Sequence, residues 1–242
     1  MLAAPGGAQA QIAAKPDGVM RSLFGLSVSA SEGNTRATTV TLTGEAVRQT
    51  EDSKWGPAGR ANYARADTGT TTSNLALGTQ YDRNLADAEW FGFSKLDYFR
   101  DRPANLESRV SAYGGLGRHL IKSDENSWDL SAGLGYSEDR YVQPADVAGD
   151  LRMSYGRTEL VLIEASNHKL TPNTSARQKL EVYSNLRTRG EYRTAIDTGL
   201  AVAITDRMQL TTGLLHRYNS DPGTGLKRSD ALFVTGISVR FD

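Results

Sequence analysis

Residues 21–50 read RSLFGLSVSASEGNTRATTVTLTGEAVRQT, two alternating runs joined by a turn. From Arg21 to Ser31, Phe24, Leu26, Val28 and Ala30 share one face, and Gly25, Ser27 and Ser29 share the other. From Arg36 to Thr50, Val40 and Leu42 oppose Thr39, Thr41, Thr43 and Glu45. Between them, Glu32-Gly33-Asn34-Thr35 is a run of turn residues. Successive side chains of a strand leave opposite faces of its sheet, so period two marks a strand with one apolar and one polar face.

The pattern continues outward from this pair. Further strands are expected at Trp55–Ala66, Thr72–Arg83, Glu89–Arg100, Glu107–Ile121, Ser127–Glu138, Leu151–Lys169, Ser175–Leu186, Glu191–Thr205, Met208–Asn219 and Ser229–Phe241. Leu151–Lys169 exceeds one membrane crossing, so its first part is expected to be a loop extension or to rise above the bilayer. The total is twelve, an even number, as in bacterial single-chain outer-membrane barrels. No 3.6-residue period, linker or second domain interrupts it. The expected fold is all-β: a single transmembrane, antiparallel, up-and-down β-barrel of about 12 strands over residues 20–242. The opening MLAAPGGAQA ends in Ala8-Gln9-Ala10, a cleavage-like pattern, so residues 1–19 are expected to be a signal remnant or a disordered segment.

Composition removes several classes of function. Lys plus Arg and Asp plus Glu both number 28, so charge gives no pointer to nucleic acid. The chain has no Cys, which excludes disulfides, thiolate metal sites and cysteine nucleophiles. Its 38% hydrophobic content leaves no apolar run long enough for a membrane helix, yet a strand needs lipid-compatible side chains only at every second position.

Turn lengths and aromatic positions orient the barrel. With the chain starting in the periplasm, the short connections Glu51–Lys54, Asn84–Ala88, Lys122–Asn126, Thr171–Thr174 and Asp206-Arg207 are periplasmic, and the long ones, Asp139–Asp150 and Ser220–Arg228, are extracellular. Trp55, Trp90 and Trp128 then open three strands at the periplasmic rim, with Tyr81 and Phe241 at the same level. Indole and phenol rings favour the membrane–water boundary because one edge is apolar and the other hydrogen-bonds. These five are the expected interface aromatics. Lipid-facing positions include Leu42, Leu96, Leu116, Leu134, Leu214 and Ile237. The opposite face carries the expected lumen lining: Glu45, Arg60, Asp82, Lys95, Asp97, Arg109, Asp129, Lys179, Glu181, Arg193, Asp197, Arg217 and Arg240.

Several motifs carry a family resemblance. They are Phe24-Gly25-Leu26-Ser27 with Glu32-Gly33-Asn34-Thr35, the corner Tyr98-Phe99-Arg100-Asp101-Arg102, Tyr113-Gly114-Gly115-Leu116-Gly117, and the closing Tyr218, Pro222, Lys227-Arg228-Ser229-Asp230 and Phe241. In order and spacing they resemble the YdiY-like, salt-induced outer-membrane protein family, a domain of unknown function. The resemblance runs from about residue 20 onward and implies an outer-membrane barrel, with no catalytic residues to carry over. Asp242 after Phe241 departs from members that end on the aromatic.

Signs of enzymatic chemistry are thin. His119, His168 and His216 form no zinc-binding spacing, so no metal and no cofactor is expected. Ser166 and His168 share a strand face with Glu164, the one arrangement that suggests a lipid-modifying enzyme. Loop acids Asp139, Asp146 and Asp150 suggest at most a weak cation site. The resulting expectation is a monomeric, non-catalytic outer-membrane barrel of a Gram-negative bacterium, a narrow pore or a structural, envelope-stress protein. Its expected partners are outer-membrane lipids and the barrel assembly machinery, with no nucleic acid. A lipid-modifying barrel enzyme and a soluble β-barrel binding an apolar ligand are the alternatives.

Overall fold

The computed structural model describes residues 15–31, 37–66, 69–86, 89–123, 125–223 and 227–241. Its strands are β1 (Met20–Ser31), β2 (Ala37–Gln49), β3 (Ser53–Ala66), β4 (Gly69–Asn84), β5 (Trp90–Asp101) and β6 (Leu106–Lys122). They continue as β7 (Asn126–Val147), β8 (Asp150–Thr171), β9 (Thr174–Asn185), β10 (Tyr192–Ala203), β11 (Met208–Asn219) and β12 (Ser229–Phe241). A 3₁₀ turn, Arg102–Ala104, stands between β5 and β6. Sequence neighbours are sheet neighbours throughout, and β12 returns antiparallel to β1, with Phe24 opposite Val239. Closure leaves no edge strand, which a lipid environment requires because it offers no partner to bare N–H and C=O groups. The expected twelve-stranded antiparallel barrel is the fold observed. The Glu32–Thr35 turn, the chain before residue 15 and Asp242 lie outside the described residues.

Strand parity sorts the side chains. Leu96 is 57% exposed on the outer wall, whereas its neighbour Lys95 is 3% exposed inside. Phe24, Leu42, Val110, Leu116, Leu134 and Phe233 are likewise exposed outside, while Arg60, Arg109 and Glu181 are buried. A soluble barrel reverses this arrangement, keeping aliphatic groups inside. Here the apolar band faces outward, as on a lipid-facing wall.

The start of β1 and the end of β12 lie at one rim, called here the terminal rim, where the turns after β2, β4, β6, β8 and β10 also fall. Before β1, Asp17 clasps Arg21 at 2.5 Å and accepts the Val19 N–H at 3.0 Å. The Arg21 bond, aided by Val19, holds the Asp17 carboxyl well below the usual carboxylate range. Arg48 Nε donates to the Gly18 carbonyl at 2.9 Å and ties this strap to the end of β2.

The sequence misreads the connection at Asp139–Asp150. β7 runs on through Val147, and β7 and β8 have 22 residues each. They meet in a two-residue turn, Ala148-Gly149, with φ of 52° and 79°. Both values lie in the left-handed region, as the tight hairpin turn that matches strand twist requires. Pro144 and the acidic residues signal a loop, but the pairing shift between Arg140 and Ala145 absorbs Pro144 in a bulge, and strand pairing resumes beyond it.

Candidate functional site

The lumen is the candidate site, and it is built asymmetrically. On the β5–β9 side, Phe91, Phe93, Tyr113, Val161, Ile163 and Tyr183 form one buried cluster inside the barrel. Room for the rings comes from glycines in β6 and β7. A Cβ on Gly117 would stand 2.2 Å from Phe91, and one on Gly135 would stand 2.3 Å from the Tyr113 ring. The sequence shows these glycines as a motif; the structure shows them as a floor under aromatic rings. The opposite wall, β11–β12–β1–β2, presents small inner side chains such as Gly25, Ser27, Thr41, Gly213 and Ser238.

Charged groups fill the space between the walls in two layers. In the layer nearer the terminal rim, Lys95 binds Asp97, approaches Glu181 at 3.5 Å and donates to the Tyr183 hydroxyl at 3.2 Å. Lys179 reaches Glu181 at 2.9 Å, and Arg177 reaches Asp197 at 3.3 Å. In the outer layer, Arg109 grips Asp139 through two nitrogens. Arg157 meets Asp139 at 2.8 Å, Glu191 at 3.2 Å and Glu159 at 3.5 Å. Glu159 takes Arg193 at 2.7 Å and the Tyr113 hydroxyl at 2.7 Å. Burial of a charge is costly unless it is paired and fully hydrogen-bonded, and here three guanidinium groups face three carboxylates.

The rim away from the chain ends is closed. Past the bulge, the β7–β8 hairpin reaches over the mouth, burying Tyr141, Val147 and Tyr155 against Ala76 of β4, Phe99 of β5 and Leu106 of β6. Leu106 is 0% exposed. Two latches hold the hairpin. The Ala148 N–H donates to Asp221 Oδ2 at 3.0 Å in the β11–β12 connection. Asn105 exchanges bonds with Gln143, accepting its N–H at 2.8 Å and donating to its carbonyl at 2.9 Å.

The terminal rim is open. A vestibule of about 510 Å³ reaches from it to Glu45, Asp82, Asp129, Arg177, Gln209 and Arg240. Asp82 accepts from Gln80 at 2.8 Å, and His119 shares its two ring nitrogens between Asp129 at 2.7 Å and Asn84 at 3.3 Å. The lumen therefore has a wet polar entrance, a charged middle and an apolar stopper.

The thirteen expected lumen residues fall into these zones. Lys95, Asp97, Lys179, Glu181, Asp197, Arg109 and Arg193 join the two charged layers, and Glu45, Asp82, Asp129 and Arg240 line the vestibule. Arg60 is 4% exposed, and Arg217 is half-buried on the same inner parity as Gln209. Of the interface aromatics, Trp55, Trp90 and Trp128 rise from the terminal rim at 40%, 41% and 39% exposure. Trp55 stands opposite Tyr81 and donates to Thr79 at 2.7 Å, and Phe241 meets Phe24 edge-on at 5.9 Å.

Other readings do not assemble. Ser166 is buried and His168 Nδ1 lies 3.2 Å from Asn126 Oδ1; among the described residues no hydrogen bond joins the pair. Asp139 is held by two arginines inside the barrel and Asp150 by Arg152 at 2.5 Å, so these acids do not form a loop cation site. Sequence reasoning missed Arg157, Glu159, Glu191, Tyr113 and Tyr155 as lumen groups. The alternation of Tyr155, Arg157, Glu159, Val161 and Ile163 on one face of β8 was the available signal.

Comparison with solved structures returns the same architecture. The translocator domain of autotransporter NalP from Neisseria meningitidis superposes with a TM-score of 0.50 at 11% identity, over 92% of this chain and 88% of that one. The COG4313 outer membrane channel from Pseudomonas putida F1 also gives 0.50 at 11% identity, over 93% and 96%. At such identity the likeness is one of fold, that of outer-membrane β-barrels. Among curated proteins none matches the chain in sequence. A family model does match, over residues 24–241, from within β1 to the end of β12, and the chain belongs to that family, described as protein of unknown function, DUF481.

Proposed function

We propose that this protein resides in the outer membrane of a Gram-negative bacterium, its chain ends in the periplasm, as a monomeric narrow pore held shut from outside. The observation that carries the reading is the combination of a polar lumen, open at the terminal rim, with a hairpin stopper at the other. A purely structural barrel has no need of a wet vestibule leading to a charged middle, and an enzyme needs an assembled catalytic pair. The outward aliphatic face suits outer-membrane lipid, and the aromatic at Phe241 suits recognition of the last strand by the barrel assembly machinery. Envelope stress that changes solute gradients is the condition under which a normally closed pore is useful.

The test removes the stopper. Residues 141–153 are replaced by an Asn-Gly turn, which keeps Arg140 opposite Ser154, and the refolded barrel, verified by heat-modifiable gel migration, is placed in planar bilayers. The trimmed barrel is expected to conduct and wild type to remain mostly closed. A folded, trimmed barrel that conducts no more than wild type would overturn the pore in favour of a structural barrel.

A further inference from the structure

At the terminal rim, where β11 begins and β12 ends, two nitrogen donors have no acceptor among the described residues. Gln209 on β11 is 8% exposed, and its Nε2 has no hydrogen-bond partner. Arg240 on β12 lies diagonally beside it, since Gln209 stands opposite Ser238, and its Nε is buried without a partner. Both residues line the 510 Å³ vestibule and a second, open cavity of about 440 Å³ lined also by Pro172, Asn173 and residues 203–208. The donors are therefore buried yet reachable from the terminal rim. A buried amide N–H and a buried guanidinium N–H without an acceptor are unfavourable, and a charged oxygen is a partner that satisfies both.

The neighbouring charges favour an anion. Lys54 lines the same vestibule, as does Arg177, which is bound to Asp197 at 3.3 Å. Asp82 and Asp129 are engaged by Gln80 and His119. Of the other two carboxylates, Glu125 is paired with Lys169 at 2.9 Å, and Glu45 stands in register with Arg240 across Leu23 of β1, where among the described residues no ion pair joins the two. On the β11–β12 side that leaves Gln209 and Arg240 as the donors facing the vestibule.

We infer that Gln209 and Arg240 form a binding site for a small oxyanion, the phosphate or carboxylate group of a solute entering from the terminal rim. The inference uses the orientation proposed above only to call that solute periplasmic, and it does not require the stopper to open.

The experiment titrates inorganic phosphate, and acetate in a second arm, into the refolded full-length barrel in neutral detergent, read by calorimetry. Saturable binding is expected, weakened roughly tenfold by Arg240→Met and severalfold by Gln209→Met. Arg118→Met, which removes an outward-facing cation paired with Glu89 at 3.0 Å, is expected to leave binding unchanged. Glu45→Gln is expected to strengthen it by removing a competing carboxylate. Tighter binding of phosphate or of acetate identifies the source of the oxyanion and supports the site either way. Non-saturable uptake, or equal weakening by Arg118→Met and Arg240→Met, overturns it. Should Arg240→Met not fold by gel migration, Arg240→Gln supplies the same comparison. Because binding is measured in detergent on a closed barrel, its failure is separate from a failure of the bilayer experiment.

Discussion

Arg157 is the keystone of the outer charged layer, and its removal gives the sharpest energetic test. The side chain is 2% exposed and meets three carboxylates, at 2.8 Å, 3.2 Å and 3.5 Å. With it, the cations Arg109, Arg157 and Arg193 balance Asp139, Glu159 and Glu191. In Arg157→Met the stem volume remains but one buried negative charge is left over. Breaking a buried pair from one side costs about 3–5 kcal/mol, and partial wetting of the lumen places the expectation at the lower end, about 3 kcal/mol. With a urea slope of ~1–3 kcal/mol per molar, the unfolding midpoint should fall by about 1–3 M. The assay is urea unfolding in lipid vesicles, followed by fluorescence of the three tryptophans. Arg102→Met is the comparison, since Arg102 holds Glu107 at 2.7 Å but both are exposed, and solvent screens such a pair so that it adds little to stability. If Arg157→Met and Arg102→Met destabilise equally, the outer layer is not a buried, mutually dependent network, and the account of the lumen given above fails.

The glycine floor makes a second expectation: Gly135→Ala, whose Cβ meets Ala112 O at 2.2 Å, should cost about 1–3 kcal/mol in the same assay. Gly114→Ala, whose Cβ would lie 3.6 Å from its nearest neighbour, should stay within about 0.5 kcal/mol, and equal effects would remove the floor from the argument. Brominated lipids should quench Trp55, Trp90 and Trp128, each kept as the sole indole, at one shallow depth; a midplane depth for any of them would contradict the single-rim placement. The wild-type barrel should release no fatty acid from phospholipid vesicles, and release abolished by Ser166→Ala would restore the enzymatic reading.

Most of the barrel was legible because strand parity is a local property. Leu96 and Lys95 are neighbours in sequence, and one bond of chain separates lipid from lumen, so alternation exposes both faces at once. The stopper was not legible for a reason equally physical. Pro144, Asp139 and Asp146 are loop-forming residues by type, and only tertiary contact with Phe99 and Leu106 makes a strand of the segment. The same holds for the charged layers. Sequence identifies Arg109 and Arg193 as inward, but which carboxylate each meets depends on strand stagger around a closed sheet. Glu191 shows the limit, since it lies outside β10 in the outer connection and still reaches Arg157 at 3.2 Å.

The hairpin that stops the outer mouth is continuous with two wall strands, and this gives it leverage. Tyr141 reaches back to Asp139 at 3.4 Å, and Tyr155 donates to Glu191 at 2.8 Å, so the base of the stopper and the outer ion cluster share residues. A pull on the tip at Ala148 is transmitted along β7 and β8 to the very groups that Arg157 holds together. On the proposed reading, displacing the stopper is expected to loosen the charge lock beneath it in the same movement. The barrel is wired as one latch with two bolts, and a force or ligand acting on either bolt works on both.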